Sequence, residues 1–377
     1  MLILKRFGLS AGYGKSVQKT AKRLETANTT RQDRTHGKPF INPACPRQWC
    51  LMSVRRGYFL RRLIQLIPTV LLVVLVNFIL IHIAPGDPAS IMAGMFADPE
   101  YIENLRQAWG FNRPLHEQLV VYLSKLLHGD LGYSLRHGEP VLSIILERLP
   151  ATVLLTFSSF LLAAILGIIL GVSASQRPYS SVDNIVSTIS IFFYSVPVFS
   201  VGILLILLFS VHLNVFPSSG MSTVAFATEA LHPLARIFDI LWHLLLPMMT
   251  LALVQLALYS RLTRACVLEE TGKDYILTAK AKGLERRVIF YRHALRNALI
   301  PIITLLGLRM GYLFTGAMLT ETVFAWPGMG RLMYTSILTR DYPLLMGIFL
   351  ITSLVVLLAN FATDIVYSLV DPRVQYK

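Results

Sequence analysis

Charged residues are scarce in this sequence, 15% of 377, while 54% are hydrophobic and the mean hydropathy is +0.58. Soluble domains carry about 25% charge, so the composition excludes an ordinary soluble protein and reads as an integral membrane protein. Cysteine is scarcer still, at positions 45, 50 and 266 only. Cys45 and Cys50 have no further ligands beside them, and two thiols do not make a metal site. His82, His116, His128 and His137 lack ligand spacing on any one helix. Gly14-Lys15-Ser16 looks like the end of a phosphate-binding loop, but Leu9 stands where its first glycine belongs and no βαβ unit follows. With no nucleophile and base constellation either, the chain reads as a protein that carries no chemistry and binds no cofactor of its own.

Long uncharged runs are what the sequence has instead. Leu63–Ala84, Leu149–Gln176, Asn184 to about Leu213, Ile240–Ser260, Leu299–Thr320 and Tyr342–Thr363 are six candidate spans, the fifth containing Arg309. About 20 helical residues cross a hydrocarbon core of roughly 30 Å, so each suffices. Pro68, Asn77 and His82 interrupt the first, where a kink and polar packing are the expected roles. Spans two and three are rich in small residues, among them Gly167, Gly171, Ser195 and Gly202, which suits close packing and sliding alike.

Charge outside the runs sets the orientation. Residues 1–62 carry 14 basic and 2 acidic residues, 261–296 carry 9 and 4, and 85–148 carry 5 and 8. The positive-inside rule puts both termini and the 261–296 region in the cytoplasm and 85–148 outside. Four divisions follow: a basic N-terminal extension, 1–51; a first span with its basic flank, 52–84; an external loop domain, 85–148, with helices expected over Glu100–Trp109 and Leu115–Leu127; and a five-helix core, 149–377. The extension has no sustained periodicity and reads as disordered, with Met52 as a candidate natural start. Its charge suits anionic membrane lipid and calls for no nucleic acid.

One polar stretch, 271–301, is set between apolar runs. Asp274 is placed to cap a helix running through Tyr275 to Lys282, and Gly283 to end it in the left-handed conformation. A second helix puts Leu284, Val288, Tyr291, Leu295 and Ala298 on one face. Arg286, His293, Arg296 and Asn297 lie on the other, where Ile289 and Phe290 form an apolar patch ringed by charge, suited to docking another protein. A plain basic loop at the membrane surface is the competing reading.

Tyr275, Thr278, Ala279, Ala281, Lys282, Gly283, Leu284, His293, Ala294, Leu295, Asn297 and Pro301 resemble the coupling loop of permease subunits of binding-protein-dependent ABC importers, most closely the dipeptide, oligopeptide and nickel branch. The glutamate that names that loop is replaced by Leu277, a departure that points to the peptide branch. Separate motifs carry the same resemblance: Ala84–Pro88 (APGDP), Gly129–Ser134 (GDLGYS), Pro140-Val141, Arg148-Leu149-Pro150, Glu321–Phe324, Trp326–Gly330 and Asp371-Pro372-Arg373. The resemblance implies an all-α protein of six transmembrane helices in the bacterial inner membrane, both termini cytoplasmic. It also implies a second homologous permease, two cytoplasmic ATPases that hold ATP-Mg, and an external solute-binding protein. Tyr275, Thr278, Ala279, Ala281, Lys282, Gly283, Leu284, Ile289 and Phe290 are then the expected ATPase-coupling residues, and peptide the expected solute. Gln255, Arg309 and Glu321 are candidates for the translocation path, Glu321 within an outer re-entrant or gate segment. A charge near mid-membrane needs water or a partner, so Arg309 fits a pathway or an ion pair equally. The alternative is a stand-alone secondary transporter or channel, but internal repeats and intramembrane carboxylates for ion coupling are missing, apart from Asp364 near one end.

Overall fold

The computed structural model describes residues 64–65, 67–79, 83, 88–93, 98–109, 112–134, 136–223, 233–310 and 317–370. The basic tail with Cys45, Cys50 and Met52, His82, residues 311–316 of the expected fifth span, and Asp371-Pro372-Arg373 lie outside the described residues.

Helices make up nearly all of the described structure, with one isolated bridge between Tyr133 and Pro140. Lipid offers the backbone no partners, and a helix satisfies its own N–H and C=O groups. In chain order, α1 is Ile67–Ile79, α2 Pro88–Ala93, α3 Pro99–Trp109 and α4 Leu115–Leu127. The long α5, Val141–Gln176, leads to α6, Ser181–Ser195, and α7, Val198–Leu205, which widens into a π turn over Ile206–His212. Next come α8, Pro233–Thr271, and α9, Asp274–Ala281. α10 is composite: Arg286–Val288, a π segment over Ile289–Leu295, then Arg296–Met310. The chain ends with α11, Met318–Val323, α12, Met329–Thr339, and α13, Tyr342–Val370.

Among the described residues three helices are long and apolar enough to cross a membrane: α5, α8 and the Tyr342–Phe361 part of α13. Both α5 and α8 overrun their apolar stretches, because hydropathy marks where lipid lies and not where helical hydrogen bonding stops. Pro140 (φ −56°) starts α5 well before Leu149. The third expected span is not one helix. α6 and α7 meet at 106°, since Pro197 has no N–H to give and forces Val196 into the extended region (φ −84°, ψ 132°).

The core is the contact between α5 and α8. A Cβ at Gly167 would lie 2.7 Å from Tyr259 Cβ, and one at Gly171 would lie 2.5 Å from both the Ser260 carbonyl oxygen and Thr263 Cβ. With those side chains absent the two backbones close up, and Phe160, Ala163 and Ala164 pack on Ala252, Leu256 and Tyr259. Small residues here allow the close packing seen. Ser190 of α6 joins the pair through a buried 2.8 Å hydrogen bond with Ser260.

At the start of α5, Val141, Ile144 and Ile145 form a second core with Met329 and Leu332 of α12 and Leu344 and Ile348 of α13. Buried Asp341 accepts the Ser134 hydroxyl at 2.5 Å and the Leu344 N–H at 3.3 Å. It thus caps α13 and holds the Gly129–Ser134 turn against it. Asn77 of α1 is also buried and donates to the Met346 carbonyl at 3.5 Å, the packing role expected of it.

Gly171→Ala is expected to destabilise the purified protein by about 1–3 kcal/mol, because an added methyl meets backbone that cannot turn aside. Ser173→Ala, an exposed change on the same helix, should leave the detergent melting temperature unchanged. Equal melting curves for the two variants would refute the close-approach argument.

Candidate functional site

α9 follows α8 after only Gly272 and Lys273. Its N-cap is Lys273 and not Asp274, which instead occupies the first turn, where its charge still complements the helix dipole. At the other end Gly283 adopts φ +76°, and its N–H reaches the Lys280 carbonyl at 3.0 Å while Lys282 N–H reaches Thr278 at 3.1 Å. Nothing lies within 4 Å of a Cβ built there, so backbone conformation alone calls for glycine.

The second helix differs from the sequence expectation in phase. Its buried residues are Ile289, Ala294, Ala298 and Ile302; of the expected face only Ala298 is buried, while Leu284 and Tyr291 are exposed. The five-residue step from Ile289 to Ala294 is the π period, and it rotates the helix relative to a 3.6-residue count. Ile289, expected on the docking surface, is therefore 6% exposed and packs with Ala294 on Ile276 and Ala279 of α9. Ala279 is likewise buried, so both serve the inside of the unit. Thr278, Ala281, Lys282 and Gly283 are exposed, Phe290 is half-buried with its ring edge-on to Tyr291 at 5.1 Å, and Leu277, Leu284 and Tyr291 make the exposed apolar surface.

Polar contacts fasten this unit to the long helices. The Tyr275 hydroxyl donates to Glu270 Oε2 at 2.6 Å and accepts from Asn297 Nδ2 at 3.2 Å, while Lys273 Nζ bonds the same Glu270. Burial first, and then the bond to the Glu270 carboxylate, push the Tyr275 hydroxyl above the ordinary tyrosine range, so it stays a donor at neutral pH. At the end of α5, Gln176 Nε2 donates to the Tyr291 hydroxyl at 2.8 Å and its backbone oxygen accepts from Arg286 at 3.5 Å.

Sequence reasoning missed the strongest tie at this end. Arg264 of α8 donates Nε and Nη2 to the two oxygens of Asp183 in α6, at 2.5 and 2.8 Å. Asp183 is almost fully buried and also accepts the Tyr179 N–H at 2.8 Å. The available signal was position: Asp183 is the lone acid at the mouth of a run with no other charge up to residue 228.

The three path candidates separate. Gln255 is half-buried and accepts from the Tyr259 hydroxyl at 3.3 Å. Arg309, on α10, is exposed. Glu321 lies elsewhere and is wholly enclosed, accepting the Thr152 hydroxyl at 2.7 Å and the Arg331 backbone N–H at 3.0 Å. A Cβ on Gly328 would come within 2.4 Å of its carboxyl. In this structure the carboxyl is sealed among α5, α11 and α12 and supports the segment that follows it. Among the described residues no group of three or more His, Cys, Asp or Glu is placed to hold a metal.

Removing Asp183 leaves a guanidinium without its partner at a half-buried site, so Asp183→Ala is expected to destabilise by about 2–4 kcal/mol. Asp183→Leu combined with Arg264→Leu should lose less than the sum of the single changes. Additive losses in that cycle, read by unfolding in detergent, would show that the pair does not couple α6 to α8.

Residues 163–376 match the family model described as the binding-protein-dependent transport system inner membrane component, and residues 56–156 match the model of its N-terminal part. The oligopeptide transport system permease protein AppB of Bacillus subtilis is 37% identical over 321 residues, covering 85% of this chain and 99% of its own. The probable D,D-dipeptide transport system permease protein DdpB of Escherichia coli is 41% identical over 314 residues, covering 80% of this chain and 92% of its own. The di/tripeptide transport system permease protein DppB of Pseudomonas aeruginosa is 39% identical over 333 residues, covering 85% and 99%.

Proposed function

Because the chain belongs to the family of binding-protein-dependent transport system inner membrane components, we propose that it is the permease subunit of an ATP-driven importer of peptides. One observation carries the mechanism. α9, Gly283 and α10 form a compact unit that buries Ile276, Ala279, Ile289 and Ala294 inside and turns Leu277, Leu284 and Tyr291 outward among charges. An exposed apolar surface on a preformed rigid element suits docking to a partner.

In this reading the basic 261–296 region and both termini face the cytoplasm, and six spans form the path beside a second homologous permease. Two ATPases bind ATP-Mg and grip the 271–301 unit, and an external binding protein delivers peptide on the other side. Tyr275, Thr278, Ala281, Lys282, Gly283, Leu284 and Phe290 face or border the ATPase, with Ala279 and Ile289 holding the unit together beneath them. Gln255 and Arg309 border the path. The division at residues 51, 84 and 148 stands as part of the same proposal. Secondary transport is the weaker reading, because Asp183, Glu321 and Asp341 are each held by fixed partners and not free to load an ion.

Expressed with its natural neighbours and purified in mild detergent, the tagged protein should bring down an ATPase. Leu284→Asp, an exposed change that should alter stability by no more than about 0.5 kcal/mol, is expected to weaken that association about tenfold. Gly283→Pro, impossible at φ +76°, should abolish coupled hydrolysis. Purification of the wild-type chain alone, under conditions that hold another importer together, would overturn the reading.

A further inference from the structure

A single helix touches both functional ends of this molecule. α5 ends at Gln176, whose side chain and backbone meet Tyr291 and Arg286 of the 271–301 unit. About 36 Å away, at 1.5 Å per residue, Thr152 of the same helix holds the Glu321–Arg331 segment. Its hydroxyl donates to Glu321 Oε1 at 2.7 Å and accepts the Met329 N–H at 2.7 Å. From the residue just before it, the Ala151 carbonyl accepts Trp326 Nε1–H at 2.9 Å. Apolar packing reinforces both bonds, since Ala151 and Leu155 share a core with Trp326, and Val141, Ile144 and Ile145 share another with Met329 and Leu332. Between the two ends α5 is pressed onto α8 at Gly167 and Gly171, and α8 continues through two residues into α9.

We propose that α5, clamped to α8, is the strut that makes the outer segment 321–339 follow the ATPase-facing unit, with Thr152 and Glu321 as its positioning residues. The proposal rests on the importer reading. Neither side chain meets solute. Glu321 fixes the segment by accepting one side-chain and one backbone bond, and Gly328 leaves the space the carboxyl fills. Thr152 converts that local fold into a connection with α5. The segment and α5 then form one body, and the outer opening is set by where α5 goes.

The test uses the complete complex reconstituted in lipid, with Cys45→Ser, Cys50→Ser and Cys266→Ser, and spin labels on Leu146→Cys of α5 and Leu338→Cys of α12, both exposed positions. In the otherwise wild-type complex the interspin distance should be narrow and the same without nucleotide and after trapping with ATP and vanadate. Thr152→Val removes the hydroxyl at nearly constant volume. It should retain the co-purified ATPase and its hydrolysis, yet give a broadened distance that shifts on trapping, and Thr152→Ser should restore the narrow one. A general loss of folding would remove the ATPase too and would not be rescued in this way. A distance that shifts on trapping in the wild-type complex, or one that stays narrow and fixed in Thr152→Val, overturns the strut while leaving the importer reading intact. If no ATPase accompanies the protein, that reading falls and the strut with it.

Discussion

The approach of α5 to α8 at Gly167 and Gly171 is the constraint on which the rest depends. In lipid there is no hydrophobic gain from joining two apolar helices, so association relies on dispersion contact and a few polar bonds. Both need proximity. Gly171 brings the backbone of α5 against Ser260 and Thr263, and Ser260 in turn is close enough to Ser190 to exchange a hydrogen bond with α6. Three helices are thus tied at one level by residues with small or absent side chains, and the large rings of Phe160 and Tyr259 fill the space beside them.

Among the described residues the buried carboxyls Asp183, Glu321 and Asp341 are each held by partners. An unpaired charge among apolar helices costs several kcal/mol, so a buried carboxyl is informative through its partners. Asp183 is matched to Arg264 by a two-pronged bond that fixes direction as well as distance, and this locks the α6 end to α8 just before α8 reaches α9. Glu321 has no such cation in contact and is met by the Thr152 hydroxyl and the Arg331 backbone N–H instead. The guanidinium of Arg331 turns aside to the Ala325 carbonyl, which also steadies a residue at φ +49°. The first arrangement resists separation of two helices, and the second shapes a turn.

What was legible in the sequence followed from local chemistry. Gly283 could be assigned a left-handed conformation because no other residue type adopts it as freely, and α4 could be bounded by Pro114 and the His128-Gly129 turn. The apolar runs announced lipid. The illegible parts were those decided by a neighbour. Ile289 looked exposed because the count assumed 3.6 residues per turn, and only packing against Ile276 and Ala279 draws the helix into the π phase. Asn184 to Leu213 looked like one span because proline inside a membrane helix can be tolerated, as Pro150 and Pro247 are, and nothing local says that Pro197 instead ends a helix. Glu321 carried the signature of a path residue, a carboxyl in an apolar run. Its burial depends on Thr152, far away in sequence.

The two ends of α5 are not equally firm. At the Thr152 end the bonds are buried and reinforced by two apolar cores, so breaking them exposes groups that lipid cannot satisfy. At the Gln176 end the contacts to Tyr291 and Arg286 are exposed, and water can replace each of them at little net cost. In the strut proposal, movement of α9 reaches α5 through the two-residue joint into α8 and the glycine contact, not through Gln176. In the strut proposal, the firm end keeps the far segment in register with α5.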